Sequence, residues 1–118
     1  MKTLILGATN NPARYAYLAA HRLVEAGHEI VNIGIKKGEV AGVPIIAASA
    51  PLSDIHTVTL YLGPKLQVQY YDYLIKTKPK RIIFNPGTEN QELVALAKAN
   101  GIEPVNACTL VLLSTGQF

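Results

Sequence analysis

Residues 2–14 read Lys2-Thr3-Leu4-Ile5-Leu6-Gly7-Ala8-Thr9-Asn10-Asn11-Pro12-Ala13-Arg14, and the fold turns on how this stretch changes character halfway along. Lys2 to Leu6 form a short apolar run suited to a buried strand, and Gly7 and Ala8 allow a tight turn with a close backbone approach. Asn11 can cap a helix and Pro12 suits the first helical position, so a helix is expected from Pro12. The first amides of that helix have no intrahelical acceptors and lie at the positive end of its dipole, which makes the turn a place for an anion, phosphate above all. The three-glycine dinucleotide fingerprint is absent: Gly7 stands in the first place, but Thr9 fills the second and Pro12 the third. A strand, glycine turn and helix also serve as a plain connection in α/β domains, so the rest of the chain has to decide.

Outward from this turn, apolar strands alternate with helical patterns, with no linker or low-complexity tract between them. Pro12 to Ala26 reads as a helix with Ala16, Ala20 and Leu23 at helical spacing and Gly27 as its stop. Glu29 to Ile33 is the second strand. Gly34 to Ser53 reads as a long loop containing Gly38, Gly42, Pro44 and Pro51, with an apolar patch at Val43 to Ala48 that suits a short strand or a turn. In His56 to Leu62, Val58, Leu60 and Leu62 alternate with Thr57, Thr59 and Tyr61, a pattern expected near a sheet edge. Pro64 opens a helix to about Lys76, with Leu66, Tyr70 and Leu74 as its buried stripe, Tyr73 at the border and Tyr71 pointing away. Arg81 to Phe84 is a strand, and Thr88 with Gln91 has the spacing of a capping box. Gly101 ends that helix, Glu103 to Val105 is a last short strand, and Thr109 to Leu113 is strand or helix by periodicity alone. The expectation is an α/β, Rossmann-like three-layer domain with a mainly parallel five-stranded sheet.

The chain has 118 residues, 49% hydrophobic and 16% charged, which fits one domain over 1–118 with a real core. Its formal charge of +3, with no Lys/Arg run longer than two, argues against a nucleic-acid partner but suits an anionic small molecule. The one cysteine, Cys108, excludes an internal disulfide and argues against a cysteine-built zinc site; it fits a reducing compartment. The apolar run before Gly7 is too short for a signal peptide, and no segment approaches the roughly 18 apolar residues of a membrane span. A cytoplasmic protein with no membrane partner is expected.

In an open parallel sheet, ligands bind outside the carboxyl ends of the strands where strand order reverses. Four segments should meet there: Gly7 to Arg14, Gly34 to Gly38, Gly63 to Lys65 and Asn85 to Asn90. The second, Gly34-Ile35-Lys36-Lys37-Gly38, discriminates between cofactors. NAD-binding domains place an acidic side chain after the second strand to accept from the ribose 2'-hydroxyl, whereas Lys36 and Lys37 suit a phosphate on the ribose, as in NADP or coenzyme A. A lysine pair can also be a plain solvated turn.

With these residues in view, the chain resembles the small single-domain CoA-binding proteins related to the CoA-binding domain of the succinyl-CoA synthetase alpha subunit. The likeness is carried by Gly7, Asn11, Pro12 and Arg14 in GATNNPAR; Leu23 and Gly27 in LVEAGHEI; Lys37 and Gly38 in KKGE; and the stretch FNPGTENQELVALAKANGIEPV. Two departures stand out: Asn32 in VNIGIKK lacks the proline that usually follows, and Phe84 and Asn85 stand where relatives often have tryptophan or glutamine. The resemblance implies coenzyme A or an acyl-CoA as ligand, with the diphosphate near Gly7, Ala8, Thr9, Asn10, Asn11 and Arg14. It places the ribose phosphate near Lys36 or Lys37, with Gly34, Leu62, Pro64 and Gly87 beside the ligand. Ile33, Ile35 and Leu62 are the expected adenine slot.

Nothing assembles a catalytic set. His21, His28 and His56 have no evident partner, Cys108 sits among apolar residues, and Glu89 and Glu92 are explained by a helix start. The phosphoryl transfer of the larger synthetase uses a histidine from another domain, which this chain lacks. A non-catalytic or regulatory CoA-binding module is the first expectation. An NADP-linked enzyme, or an accessory subunit of an acyl-CoA-using enzyme, is the alternative. Tyr70, Tyr71 and Tyr73, with Tyr15 and Tyr17, leave homodimer and monomer both open.

Overall fold

A computed structural model describes every residue from Met1 to Phe118. At its centre is β1 (Lys2–Leu6), in which Leu4, Ile5 and Leu6 are wholly buried. Strand alternation sends Leu4 and Leu6 to one face of the sheet and Ile5 to the other. Leu4 and Leu6 join Val58, Leu60, Ile82 and Phe84 in one apolar cluster, while Ile5 joins Ile30 and Ile45 in another. Burial on both faces is the condition for a parallel sheet, and it is why Leu4-Ile5-Leu6 read as a continuous apolar run.

On the Ile5 face lies α1 (Tyr15–Glu25), which buries Ala16, Ala19, Ala20 and Leu23. The expected stripe holds, but the helix begins at Tyr15 and not at Pro12. Asn11 Oδ1 accepts from the Ala13 amide at 3.0 Å and the Asn11 carbonyl from the Arg14 amide at 3.1 Å. Asn11 therefore closes a turn ahead of the helix, and Arg14, with extended backbone, occupies the cap position.

The remaining strands are β2 (Glu29–Ile33), β3 (Gly38–Val40), β4 (Val43–Ile46), β5 (Thr57–Leu60), β6 (Arg81–Phe84) and β7 (Glu103–Asn106). They form one seven-stranded sheet in the order β3-β4-β2-β1-β5-β6-β7. Every neighbouring pair is parallel except β3–β4. The five-stranded expectation is thus two strands short. The missing pair lies inside the long loop segment: β4 falls in the Val43 to Ala48 patch that suits a short strand or a turn, while β3, of 3 residues, is unexpected. Their hairpin is held by tertiary bonds from Asn32, whose Nδ2 donates to the carbonyls of Val40 and Val43.

The position expected for β5 is also corrected. It lies between β1 and β6, with all four residues buried. Its threonines tolerate burial because their hydroxyls are paired: Thr57 Oγ1 accepts from Arg81 Nε at 2.8 Å and Thr59 Oγ1 from Asn85 Nδ2 at 2.7 Å.

The expected helix from Pro64 to Lys76 is broken into α2 (Pro64–Gln67), a 3-10 turn (Val68–Tyr70) and α3 (Tyr71–Thr77). The tighter turn shifts the helical phase, so Leu74 is fully buried while Leu66 is 46% exposed. Tyr71 does not point away. Its hydroxyl donates to Glu92 Oε1 at 2.9 Å and accepts from Asn90 Nδ2 at 2.8 Å.

The next helix, α4 (Gln91–Ala99), is capped by Asn90, whose Oδ1 accepts from the Glu92 and Leu93 amides. The Thr88–Gln91 box does not form, because the Thr88 hydroxyl donates to the Asn85 carbonyl. The ambiguous run resolves as α5 (Thr109–Ser114), started where the Thr109 amide donates to Asn85 Oδ1. Leu74, Leu93 and Ala97 bring α3 and α4 to the Leu4 face, and Leu113 brings α5 beside α1, completing three layers. No helix is long and apolar enough to cross a membrane.

Candidate functional site at the carboxyl edge of the sheet

Strand order reverses at β1, which has β2 on one side and β5 on the other. The four segments expected to converge do so there, around a cavity of about 570 Å³. Gly7, Thr9 and Arg14 line it from the β1 loop, Ile35 from the β2 loop, Tyr61, Leu62, Gly63 and Leu66 after β5, and Pro86, Gly87 and Thr88 after β6.

Glycine knits these loops to one another. Gly7 has φ +100°, and a β-carbon on it would lie 2.9 Å from the carbonyl carbon and oxygen of Tyr61. A β-carbon on Gly34 would strike the Ala8 carbonyl oxygen. The close backbone approach expected at Gly7 is one between loops, made by a glycine that also lines the crevice.

The amides of Gly7 and Ala8 both donate to the Ile33 carbonyl at 2.9 Å, so neither is free for an anion. The amides of Thr9, Asn10, Tyr15 and Ala16 find no acceptor within the chain. Thr9 and Arg14 line the crevice at this point, and the Tyr15 and Ala16 amides belong to the positive end of the α1 dipole. The unpaired amides of the first turn thus begin at Thr9, two residues after Gly7.

Other expected site residues are placed unevenly. Thr9, Arg14, Leu62 and Gly87 line the crevice with Gly7, whereas Ala8 is buried in the core cluster beneath it. Asn10 is exposed, but its Nδ2 lies where a β-carbon on Gly38 would approach to 2.8 Å, so it packs on the β3 start. Pro64 begins α2 next to Gly63 without lining a cavity wall. Ile33 is 1% exposed inside the core, so it is no part of an adenine slot. Ile35 is 78% exposed, with Lys36 and Lys37 on the same exposed turn; neither lysine lines the crevice.

Two more cavities flank the crevice. One of about 580 Å³ shares Ile35 with it and is bounded by Gly34, Ala48, Tyr70, Tyr73 and Lys76 among others. Another of about 250 Å³ shares Tyr15, Tyr61 and Pro86 with it and is completed by Asn85, Cys108 and Leu110. Burial pushes the Tyr61 phenol up to about 12, so this hydroxyl stays neutral across the physiological range.

Beneath the crevice, a buried polar network fixes its floor. Gln67, wholly buried, donates from Nε2 to the carbonyls of Leu62 and Thr88, both at 2.8 Å, and accepts from Asn90 Nδ2 at 2.9 Å. Asn85 joins β5, β6 and α5 by donating to Thr59 Oγ1 and the Leu60 carbonyl while accepting from Thr109. Sequence reasoning missed Tyr15, Tyr61, Pro86 and Gln67. Tyr61 was recoverable by position, since it leaves the carboxyl end of β5; Gln67 carried no such signal. No group of three or more His, Cys, Asp or Glu side chains could hold a metal ion.

The sequence of residues 1–114 matches the family described as CoA binding domain. The chain belongs to that family. Among solved structures, the crystal structure of an uncharacterized protein is 56% identical, with a TM-score of 0.97, covering 99% of this chain and 97% of that one. A hypothetical protein from Pyrococcus horikoshii OT3 is 28% identical at a TM-score of 0.85, covering 97% of this chain and 81% of its own. Cell-free ID.343 from Thermus thermophilus, 19% identical at a TM-score of 0.85 with 99% and 90% covered, shares the fold. The curated proteins include no match. The CoA-binding family expected from the GATNNPAR and PGTEN turns is therefore the family of the chain as a whole.

Proposed function

We propose that this Rossmann-like domain binds coenzyme A or an acyl-CoA in the crevice beside β1, as a non-catalytic or regulatory module of the cytoplasm. The observation that carries the reading is the convergence of four loops on one crevice, with a further cavity on each side, in a chain of the CoA-binding family. A long ligand with a nucleotide at one end, a diphosphate in the middle and an arm at the other suits that arrangement. The free amides of Thr9, Asn10, Tyr15 and Ala16, with the Arg14 guanidinium, fit the diphosphate. Exposed Ile35 offers an apolar rest for the adenine ring, and Lys36 and Lys37 beside it fit the ribose phosphate. The three histidines stand outside the crevice lining, which favours binding over acid-base chemistry.

Thermal melting in the presence of coenzyme A, NADP and NAD tests this. A true ligand at one hundred times its Kd adds about 2.7 kcal/mol to the folded state, and only coenzyme A or its thioesters should do so. A shift with NADP alone would favour the NADP-linked alternative. The double change Lys36→Ala and Lys37→Ala should weaken coenzyme A far more than its dephosphorylated form, which lacks the ribose phosphate; equal losses would remove the role of the lysines.

A further inference from the structure

The 250 Å³ cavity beyond Tyr15 and Tyr61 lies on the side of the crevice that the proposed pose gives to the end of the pantetheine arm, and its lining differs from that of the crevice. Its wall consists of two tyrosines, Pro86, Leu110, the Cys108 thiol and Asn85. The Asn85 amide of that wall is engaged elsewhere, with both ends spent on Thr59, Leu60 and Thr109. The Tyr61 hydroxyl lies beside Thr59 and Thr109, whose own hydroxyls pair at 2.8 Å. Apart from the two tyrosine hydroxyls, what the wall offers is ring, methylene and sulfur, so water there would find few partners. An apolar cavity of about 150 Å³ already accepts benzene, and this one is larger.

Three of its six wall residues also line the crevice, so a group attached to the end of a ligand lying in the crevice has a direct neighbour in this cavity. We propose that the cavity receives the acyl group of a short-chain acyl-CoA, so that the domain distinguishes the thioester from free coenzyme A. The inference rests on the coenzyme A reading of the crevice and adds the class of its ligand. A bare thiol would leave most of the space unfilled, whereas an acyl chain of about four to six carbons would cover the wall. Each methylene moved from water into such a site is worth up to about fourfold in affinity.

Calorimetric titration, with reductant present to prevent any disulfide with Cys108, separates the outcomes. Coenzyme A, acetyl-CoA, butanoyl-CoA and hexanoyl-CoA are titrated into the wild type and into Cys108→Leu, which fills the cavity from one side. Leu110→Phe fills it from the other, should the first variant fold poorly. Butanoyl-CoA should bind about tenfold tighter than coenzyme A, and the filled variants should bring that ratio close to one. Binding of coenzyme A with no gain for butanoyl-CoA would overturn the acyl assignment and leave the crevice reading standing. A gain that persists in the filled variants would overturn it as well, since the chain would then lie elsewhere. Failure of every ligand to bind would remove the crevice reading and the acyl assignment with it.

Discussion

Gln67 shows how one side chain holds the crevice in shape. It is fully enclosed, and its amide bridges the carbonyls of Leu62 and Thr88, which belong to loops from two different strands, while tying in the cap residue Asn90. Gln67→Leu keeps the bulk but strands the buried Thr88 carbonyl and the partly buried Leu62 carbonyl, a buried one costing about 1–3 kcal/mol when unpaired. Urea denaturation should show a loss of about 2–4 kcal/mol through a lower midpoint at unchanged slope. The exposed Gln91→Ala should stay within about 0.5 kcal/mol. A Gln67→Leu protein as stable as the wild type would mean that these bonds do no structural work. The role of Gln67 could not be read from the chain, since a glutamine four residues into a helix beginning Gly63-Pro64 looks like a solvated residue. Its partners are backbone carbonyls 5 and 21 positions away, brought near only when β5 and β6 pair. Gly7 and Arg14 were legible as crevice residues because their meaning is local, a backbone conformation and a loop after a strand, whereas Lys36 and Lys37 lie on an exposed turn outside the crevice lining.

Among elements, the β3–β4 hairpin was the least visible and is the easiest to improve. Val40 pairs with Val43 across the two-residue turn Ala41-Gly42, and both turn residues have positive φ, 54° and 78°. That is the backbone of a turn whose preferred pair is Asn-Gly, and alanine at the first position carries a Cβ penalty of about 1–2 kcal/mol. Ala41→Asn should therefore raise the unfolding free energy by about 0.5–1 kcal/mol, read as a higher urea midpoint. A lower midpoint would show that the turn is not held in this conformation. The apolar patch at Val43 to Ala48 pointed to a short strand or a turn, but without an Asn-Gly or Asp-Gly signal, and with Pro44 inside a strand of 4 residues, its pairing with β3 as a hairpin was hidden. The long central elements were plain for the opposite reason. KTLIL and RIIF are apolar on both faces, and only a strand buried on both sides uses such a pattern.

At the scale of the molecule, the two ends of the sheet do different work. The carboxyl edge gathers the glycine loops and the three cavities, while the amino edge gathers charge. There the terminal amine meets His28 Nδ1 at 3.3 Å, Arg81 stacks 4.6 Å from the centre of the Phe118 ring, and the His56 amide donates to the Lys2 carbonyl. Burial holds both histidines below their ordinary value of 6.5, helped at His28 by the terminal amine and Arg81 and at His56 by Arg81, Lys80 and the terminal amine. A histidine harder to protonate in the folded chain than in the unfolded one makes the unfolded state the better proton acceptor. Stability then rises with pH across the interval between the lowered folded values and 6.5, and is flat above it. Urea midpoints should therefore hold steady from about pH 8 to about pH 7 and fall as the medium is taken below 6.5, before the carboxylates titrate. The double variant His28→Gln, His56→Gln should lose most of that fall. Because these histidines stand at the edge opposite the crevice, coenzyme A affinity measured over the same interval should not follow the stability curve. Parallel declines in affinity and stability would tie the two edges together and refute their independence.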